Sequence, residues 1–207
     1  MSQIKNSKQN SKKNQNCKKI FTTIPSGQYK GKKLLLPSLE STRSTKNIVC
    51  ACVFNVLREN LRDKIFIEVF GGSALMAACA LSNYALKAYA IELDDKAYKI
   101  ALENAKNLDK NLDILHGDSF ELLPKLLRQI HTSTILYFDP PFNIREGFKD
   151  IYEKIYKLLD ELDLSKVSSF IIEHHKSLQN PEILSEFKRV KLKNFGLSSL
   201  SFYERVE

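Results

Sequence analysis

The sequence predicts an α/β fold in which a mostly parallel sheet of seven strands carries helices on both faces. From residue 65 onward, short runs rich in Ile, Val, Phe, Tyr and Leu alternate with longer stretches of helical periodicity. The chain has 207 residues, 43% hydrophobic and 27% charged, which suits one domain of ordinary size with a buried core. Alternating strands and helices indicate parallel strands joined by right-handed crossovers, because such connections cover both faces of a sheet.

The individual elements follow in a regular order. Strands are expected at 65–70, 88–93, 112–115, 134–138 and 167–172, and helices at 73–84, 94–108, 119–129 and 148–162. From about 187 to 206, two strand-like runs surround Asn194, Phe195 and Gly196. They predict an antiparallel hairpin at one edge of the sheet.

The first 61 residues are organised differently. Residues 1–19 contain almost nothing apolar and predict a disordered basic arm. Residues 20–61 predict an extension made of a small β-hairpin, turning at Ser26 and Gly27, and a helix over 44–61 with Ser44 or Thr45 as its N-cap. Residues 62–207 then form the main domain.

The positive charge of the chain is concentrated at its N-terminus. The net charge is +8, yet residues 1–33 contain nine lysines and no acidic residue, which leaves the remainder at −1. A local excess of this kind is typical of an arm that meets a polyanion such as nucleic acid. A solubilising tail is the alternative interpretation.

Several classes of protein are excluded by composition. The longest apolar runs, such as 65–70, are far shorter than the roughly 20 residues that span a bilayer. The four cysteines, at positions 17, 50, 52 and 79, lack the paired spacing of a zinc site or a disulfide framework. No apolar segment follows the N-terminal lysines as in a signal peptide. We therefore expect a cytoplasmic protein without membrane association or metal.

A glycine loop and an acidic residue follow the first two strands of the predicted sheet, where ligands of such folds bind. The first strand leads from Glu68 into Phe70-Gly71-Gly72-Ser73, and the second ends at Glu92-Leu93. A tight turn followed, about 20 residues later, by a carboxylate predicts a site for a ribose-containing ligand. A tight strand-to-helix turn with a helix-capping acid would leave the same pattern.

The third strand is followed by Asp118 and Ser119. Asp118 could accept a hydrogen bond from an adenine amino group or merely cap the next helix, and the sequence leaves both open. His174 and His175, after the fifth strand, favour a structural or rim role because adjacent side chains chelate poorly.

The most specific pattern is Asp139-Pro140-Pro141-Phe142, at the end of the fourth strand. The two prolines fix the backbone, so that the Pro140 carbonyl and the Asp139 carboxylate form a rigid pair of acceptors beside an aromatic ring. A buried acid held rigidly at the ligand-binding edge of the sheet predicts a functional role for this motif, and a rigid turn without chemistry is the alternative.

At these residues the chain resembles S-adenosylmethionine-dependent amino-methyltransferases, and more closely the RsmD family of 16S rRNA guanine-N2 methyltransferases. Four segments carry the resemblance, which runs from about residue 20 to the C-terminus: residues 26–34, Arg43-Ser44-Thr45 leading into 53–57, the loop 70–73, and 139–142. The chain departs from the family pattern at Glu68, usually Asp, at Ala74 and Ala77, usually Gly, and at Ser44, usually Pro.

The resemblance implies a Rossmann-like class I methyltransferase domain over 62–207 that methylates the N2 amine of a guanine in 16S rRNA. S-adenosylmethionine would be the methyl donor and S-adenosylhomocysteine the product, with no metal. It implies catalytic roles for Asp139, Pro140, Pro141 and Phe142, and contacts to the cofactor from Glu68, Phe70, Gly71, Gly72, Ser73, Glu92, Leu93, Asp118 and Ser119. Contacts to RNA would come from Lys30, Lys32, Lys33, Arg43, Ser44 and Thr45.

The expected partner is ribosomal RNA, free or in an assembling small-subunit particle, and the protein is expected to be a monomer. Other interpretations remain open. An adenine-N6 methyltransferase of DNA or RNA could use the same acceptors, although a DNA enzyme normally needs a separate target-recognition region. A non-catalytic RNA-binding protein on this fold would be compatible with Ala74 and Ala77.

Overall fold

The computed structural model describes residues 19–37, 43–141 and 149–206, except for the side chains of residues 43–45 and 149–150. The expected arm, apart from Lys19, lies outside the described residues. The strands are β1 (Ile20–Thr23), β2 (Lys33–Leu36), β3 (Ile65–Glu68), β4 (Lys87–Glu92), β5 (Leu112–His116), β6 (Thr134–Phe138), β7 (Val167–His175), β8 (Ile183–Leu184), β9 (Phe187–Phe195) and β10 (Ser198–Arg205). The helices are α1 (Arg43–Leu57, continued by a 3-10 turn at Arg58–Leu61), α2 (Leu75–Ser82), α3 (Asp95–Leu108), α4 (Ser119–Leu127) and α5 (Lys149–Glu161).

The main sheet confirms the predicted α/β fold class. Within the described residues it has eight strands in the order β5-β4-β3-β6-β7-β10-β9-β8. Strands β3 to β7 are parallel, and the last three in that order are antiparallel. The strand beyond the seven predicted ones is β8, a two-residue strand that the sequence pattern is too short to reveal. It takes the edge position that was expected for the C-terminal hairpin.

Two hydrophobic clusters fill the space on either side of the sheet. One contains α1, α2 and α3 with residues of the β1-β2 hairpin such as Ile24 and Leu34. The other contains α4 and α5 with residues such as Phe138, Phe170 and Tyr203. The two faces bury alternate residues of the central strands, which explains why β3 and β6 are buried along their whole length.

The N-terminal hairpin packs against the ends of α2 and α3. The amide of Gln28 donates to the Ser82 carbonyl at 2.8 Å, and the Tyr29 hydroxyl donates to Asp109. Gly27 has φ of +83°, and a Cβ atom there would lie 1.8 Å from the Ser82 carbonyl oxygen. Only glycine permits this close contact, so the turn is fixed against the end of α2.

Most predicted element ends differ from the structure by one or two residues, and two of the differences concern candidate site residues. Helix α1 begins at Arg43, so Ser44 and Thr45 lie in its first turn and not at the N-cap. Strand β7 continues through His175, so both histidines belong to the strand that was expected to end at residue 172. Pairing with β10 extends β7, because Ser198 and Ser199 lie opposite His175 and His174. No helix among the described residues is both long enough and apolar enough to span a bilayer.

Candidate active site

The sheet order changes direction between β3 and β6, and this is where parallel sheets open a crevice for ligands. From β3 the chain proceeds through β4 to β5 on one side, and then returns to β6 on the other. The loop after β3 and the residues after β6 therefore flank one crevice at the carboxyl edge of the sheet. The loop after β3 is the glycine loop, residues 70–73, and the residues after β6 are Asp139-Pro140-Pro141.

The glycine loop is held close to the neighbouring strand. The Gly71 amide donates to the Ile91 carbonyl at 2.7 Å, and a Cβ atom on Gly71 would lie only 3.0 Å from that oxygen. At Gly72, where φ is +51°, a Cβ atom would meet nothing within 4 Å. The loop is thus packed on one side at Gly71 and open on the other at Gly72, where a ligand can approach the backbone.

Ala74 and Ala77, where the resembled family has glycine, are both fully buried in the core. Ala74 adopts the left-handed conformation, φ 60° and ψ 33°, that glycine would favour. Its methyl group points into packed protein and not onto the open side of the loop. The added methyl groups therefore leave the face at Gly72 unobstructed.

Glu68 is buried at the end of β3. Its carboxylate accepts a hydrogen bond from the Ala77 amide, in the first turn of α2, at 2.9 Å. Burial raises the pKa of Glu68 to about 8, although the bonds from the Ala77 and Met76 amides oppose the rise. Glu68 therefore holds the start of α2 beneath the glycine loop, and a cofactor contact from this residue stays a prediction.

Glu92 joins the end of β4 to the glycine loop. One carboxylate oxygen accepts from the Gly72 amide at 2.5 Å and the other from the Asp94 amide at 2.7 Å. Asp94, not Glu92, caps helix α3 by accepting from the Lys96 and Ala97 amides. Glu92 is half-buried, and the neighbouring Leu93 side chain is 66% exposed, so both border open space above β4.

The residues after β5 form the next part of this edge. Asp118 is exposed, and its carboxylate accepts from the Phe120 amide at 2.8 Å, which caps α4. Ser119 is buried and its hydroxyl donates to the Val69 carbonyl. The rings of Phe70 and Phe120 meet edge to face at 6.1 Å between centroids. Capping accounts for Asp118, and a contact to an adenine amino group stays a prediction.

Asp139 stands at the end of β6 with part of its surface exposed. Burial raises the pKa of its carboxyl group, and the positive charge of Lys46 on α1 opposes that rise. Pro140 is buried and Pro141 exposed. Phe142 lies outside the described residues, so the expected stacking ring stays a prediction.

A second carboxylate lies beside Asp139, and the sequence pattern assigned it no role. Glu173 of β7 is buried, and the Tyr137 hydroxyl donates to it at 2.6 Å. Burial and the charge of Asp139 raise the pKa of Glu173 to about 8, with Tyr137 and Lys46 acting in the opposite direction. The rule that placed Asp139 at the ligand-binding edge could also have placed Glu173 there, because Asp139 follows β6 and Glu173 lies near the carboxyl end of the neighbouring parallel strand β7.

Asn104 is another residue that the sequence pattern did not reveal. Its amide nitrogen donates to the carbonyls of Ser73, at 2.9 Å, and Leu35, at 3.0 Å, and its oxygen accepts from the Leu35 amide at 2.8 Å. Asn104 is buried on α3 and links β2 to the end of the glycine loop. Polar residues inside helices rarely indicate such a role, because most face solvent.

The predicted RNA contacts fall into two groups. Lys30, Lys32 and Lys33 are exposed around the turn of the N-terminal hairpin, which touches the last residues of α2 and α3. Those helices begin at the carboxyl edge, so the turn lies at the opposite edge, about 20 Å away for a 14-residue helix. Arg43, Ser44 and Thr45 begin α1, and their side chains lie outside the described residues.

Two cysteines and one histidine of the described residues are buried in the protein. Cys50 and Cys79 are buried free thiols, and Cys52 is partly exposed. His174 is buried, with its ring nitrogens hydrogen-bonded to the His175 carbonyl and the Ser201 hydroxyl. Within residues 19–37, 43–141 and 149–206, no group of three or more His, Cys, Asp or Glu side chains could hold a metal ion.

Comparison with known proteins gives consistent matches over most of the chain. The family model described as "Conserved hypothetical protein 95" matches residues 22–204. Ribosomal RNA small subunit methyltransferase D of Buchnera aphidicola is 26% identical over 155 residues, 74% of this chain and 78% of the relative. The Haemophilus influenzae protein of the same name is 27% identical over 187 residues, 87% of this chain and 92% of that protein.

The fold is also that of a solved structure. The Escherichia coli protein yhhF superposes with a TM-score of 0.71 and 23% identity, covering 89% of this chain and 98% of that one. The match to the family model, over residues 22–204, includes most of the N-terminal hairpin and α1 as well as the main sheet.

Proposed function

Because the chain belongs to the RsmD family of S-adenosylmethionine-dependent methyltransferases, whose model is described as "Conserved hypothetical protein 95", we propose that it methylates the N2 amine of a guanine in small-subunit ribosomal RNA. The chain is a methyltransferase enzyme. Ribosomal RNA as the substrate class follows from the names of the relatives, and guanine N2 follows from the family resemblance.

One observation carries the proposal: Asp139, a partly exposed residue with a carboxyl group, and Pro140 directly follow β6, across the crevice from the glycine loop. The lone pair of an exocyclic amine is delocalised into the base, so the amine must be drawn toward tetrahedral geometry before it attacks. Asp139 and the Pro140 carbonyl accept its two N–H bonds and aim the lone pair across the crevice. The bound cofactor supplies a methyl group activated by a positively charged sulfur.

The raised pKa of Asp139 suits a second task. The amine nitrogen gains a bond to carbon and must lose a proton. A carboxylate that already accepts one of its N–H bonds, and whose pKa lies above the ordinary value, is placed to take that proton. Lys46 opposes the rise in pKa and so favours the ionised form of Asp139 before the reaction.

The residues on the other side of the crevice fit S-adenosylmethionine. Gly72 leaves open space over the backbone, and Glu92 presents a half-buried carboxylate 20 residues later. Glu92 would hold the ribose hydroxyls, since a charged acceptor binds two such donors well. Leu93 and Phe70 would contact the base, and Ser73 would shape the loop that receives the methionine portion.

The remaining features of the proposal concern the setting of the reaction. We propose that the enzyme is a cytoplasmic monomer, that it uses no metal, and that it acts on ribosomal RNA free or within an assembling small-subunit particle. Free thiols at Cys50 and Cys79 are compatible with a reducing compartment. Orientation and electrostatics by Asp139 and Pro140 are sufficient for transfer to an amine.

Methylation of ribosomal RNA from a strain that lacks the protein tests the proposal directly. Purified enzyme and labelled S-adenosylmethionine should transfer label to small-subunit RNA, and digestion with mass spectrometry should identify N2-methylguanosine. N6-methyladenosine would instead identify an adenine methyltransferase. Cofactor binding without transfer to naked RNA or to small-subunit particles would point to a non-catalytic RNA-binding protein.

A further inference from the structure

A groove runs between helix α1 and strand β9 on the face of the sheet that α1 covers. Its volume is about 740 Å³, and its walls include Cys52 and Asn55 of α1, Arg58 of the 3-10 turn after α1, and Lys191, Lys193 and Phe195 of β9. Lys191 and Lys193 pair with Phe202 and Leu200 of β10, both buried in the core beneath α1. Because paired residues share a face, the two lysines stand on the same side as the helix.

All charged residues that line this groove, which we call the α1-β9 groove, are positive. Of the nine residues that line it, Arg58, Lys191 and Lys193 are cationic and none is acidic. Strand β9 as a whole carries four basic residues and no acid in nine positions. None of the three cations forms an ion pair with any part of the chain that the structure describes. Residues 34–207 together have a net charge of −1, so this local excess is not a general property of the surface.

Arg58 occupies an unusual backbone position. It follows the last residue of α1 with φ of 38°, in the region that favours glycine. An L-residue there costs roughly 1 kcal/mol or more, and helices usually place Gly or Asn at this point. The Arg58 Nε donates to the Asn55 carbonyl at 2.9 Å, which holds the side chain over the last turn of α1, at the end of the α1-β9 groove.

The other end of the groove reaches the candidate active site. Phe195 pairs with Ser198, and Ser198 lies opposite His175 at the carboxyl end of β7. Ser198 is near enough to Glu173 to lower the pKa of its carboxyl group, and Glu173 neighbours Asp139. On the helix side, Lys46 is near enough to Asp139 to act on its carboxyl group. Arg58 lies 12 residues further along the chain, just past the end of α1 and about 18 Å away.

We propose that the α1-β9 groove binds the phosphate backbone of the substrate RNA as it continues from the target base at Asp139. A cationic groove with an aromatic side chain at one end is typical of surfaces that follow a single nucleic acid strand. Lys191, Lys193 and Arg58 contact successive phosphates, and the half-buried ring of Phe195 offers a stacking face next to the catalytic edge. The inference rests on the proposed function for its choice of RNA as the polyanion.

Removal of the two strand lysines tests the inference. The variant Lys191→Ala/Lys193→Ala should bind an unmodified transcript of small-subunit ribosomal RNA roughly tenfold more weakly at 0.1 M salt. The slope of log affinity against log salt should become shallower by about 1.4, the value for two phosphate contacts on a single strand. Lys99→Ala/Lys106→Ala, which removes two exposed lysines from α3, serves as the matched control and should change neither.

Steady-state kinetics distinguish residues that only bind RNA from residues that act on the reacting amine. With this transcript as substrate, the KM for RNA should rise in the β9 variant while kcat at saturating RNA stays unchanged. Circular dichroism and binding of S-adenosylhomocysteine verify that the variant is folded.

Protection of Cys52 from alkylation by bound RNA is a second test, in which the groove lysines are not mutated. Cys52 is partly exposed on the wall of the groove, whereas Cys50 and Cys79 are buried. In a Cys17→Ser background, RNA should slow the alkylation of Cys52 by N-ethylmaleimide, and S-adenosylhomocysteine alone should not.

The outcomes distinguish this inference from the proposed function. Normal methyl transfer with unchanged KM, salt slope and Cys52 alkylation would overturn the groove proposal and leave the proposed function intact. RNA binding without methyl transfer would contradict the proposed function, and the salt slopes would still decide the groove. Unchanged RNA binding together with lost binding to ribosomal proteins of the small-subunit particle would overturn the inference and assign the groove to a protein partner. A wild-type chain that binds no RNA would overturn both.

Discussion

The carboxylates on the two sides of the candidate active-site crevice differ in their hydrogen-bond partners and in their burial. On the side of β4 and β5, Glu92 and Asp118 accept hydrogen bonds from backbone amides of neighbouring loops. On the side of β6 and β7, Asp139 and Glu173 lie close together, partly or fully buried, and burial raises the pKa of both. Among the described residues, the Glu173 carboxylate accepts a hydrogen bond from a side chain, the Tyr137 hydroxyl, and not from a backbone amide.

This difference suits the two proposed tasks. Backbone amides fix a carboxylate rigidly, as needed for a cofactor that must bind in one position. A carboxylate whose pKa is raised by burial can accept a proton as well as a hydrogen bond, as needed at a reacting amine. The cofactor side should therefore respond to mutation in affinity or stability, and the substrate side in turnover and pH dependence.

The largest effect is expected at Asp139. Asp139→Ala removes one of two preorganised acceptors of the reacting amine, so kcat should fall about 100-fold or more while S-adenosylhomocysteine binds normally. Single-turnover methyl transfer and calorimetry measure the two quantities. Asp163→Ala, at an exposed position before β7, is the matched control. Turnover near that of the wild type in Asp139→Ala would contradict the mechanism.

Asn104→Ala should give the next largest effect, this time on stability. The substitution leaves the Leu35 amide and the Leu35 and Ser73 carbonyls without their partner in a buried place, at a cost of about 2–3 kcal/mol in the free energy of unfolding. Urea denaturation measures it, with Asn107→Ala, an exposed position on the same helix, as control. Equal midpoints for the two variants would show that Asn104 does not link β2 to the glycine loop.

Glu92→Ala should weaken cofactor binding by about 1.5–3 kcal/mol, because a charged acceptor for two hydroxyls is lost. Calorimetric titration with S-adenosylhomocysteine measures the change, and Glu103→Ala, exposed on α3, is the control. An unchanged dissociation constant would mean that Glu92 only braces Gly72 and Asp94, and that the ribose lies elsewhere.

The smallest effect is a pH dependence of stability from Glu173. Its folded-state pKa of about 8 exceeds the ordinary 4.5, so the folded state retains a proton that the unfolded chain releases. The contribution to stability is complete below about pH 4.5 and is lost as the pH rises through 8. Glu173→Gln keeps an acceptor for Tyr137 but cannot ionise, so its melting temperature should fall less than that of the wild type between pH 5 and 8. Glu103→Gln should follow the wild type, and parallel curves for Glu173→Gln would refute the assignment.

The sequence alone determined the order of the elements in the main sheet and predicted the place of the candidate site. Local periodicity identifies β3 to β7 and the intervening helices, because each of these elements repeats its apolar residues at its own spacing. Once the strands are parallel, their carboxyl ends share one edge, so the strand pattern alone assigns Gly72, Glu92 and Asp139 to one crevice. Helix ends were less predictable, since Arg43 and Ser44 are compatible with either side of a boundary.

Only the tertiary structure decided which distant residues meet. The link from Asn104 to Leu35 and Ser73, the bond from Tyr137 to Glu173, and the placement of Lys191 and Lys193 beside α1 all join segments that are remote in sequence. The hairpin lysines, which share the N-terminal excess of charge, lie at the edge opposite Asp139 because Gly27 packs against Ser82. Periodicity reports which face of an element is buried, but the partner on that face is selected by packing of the whole chain.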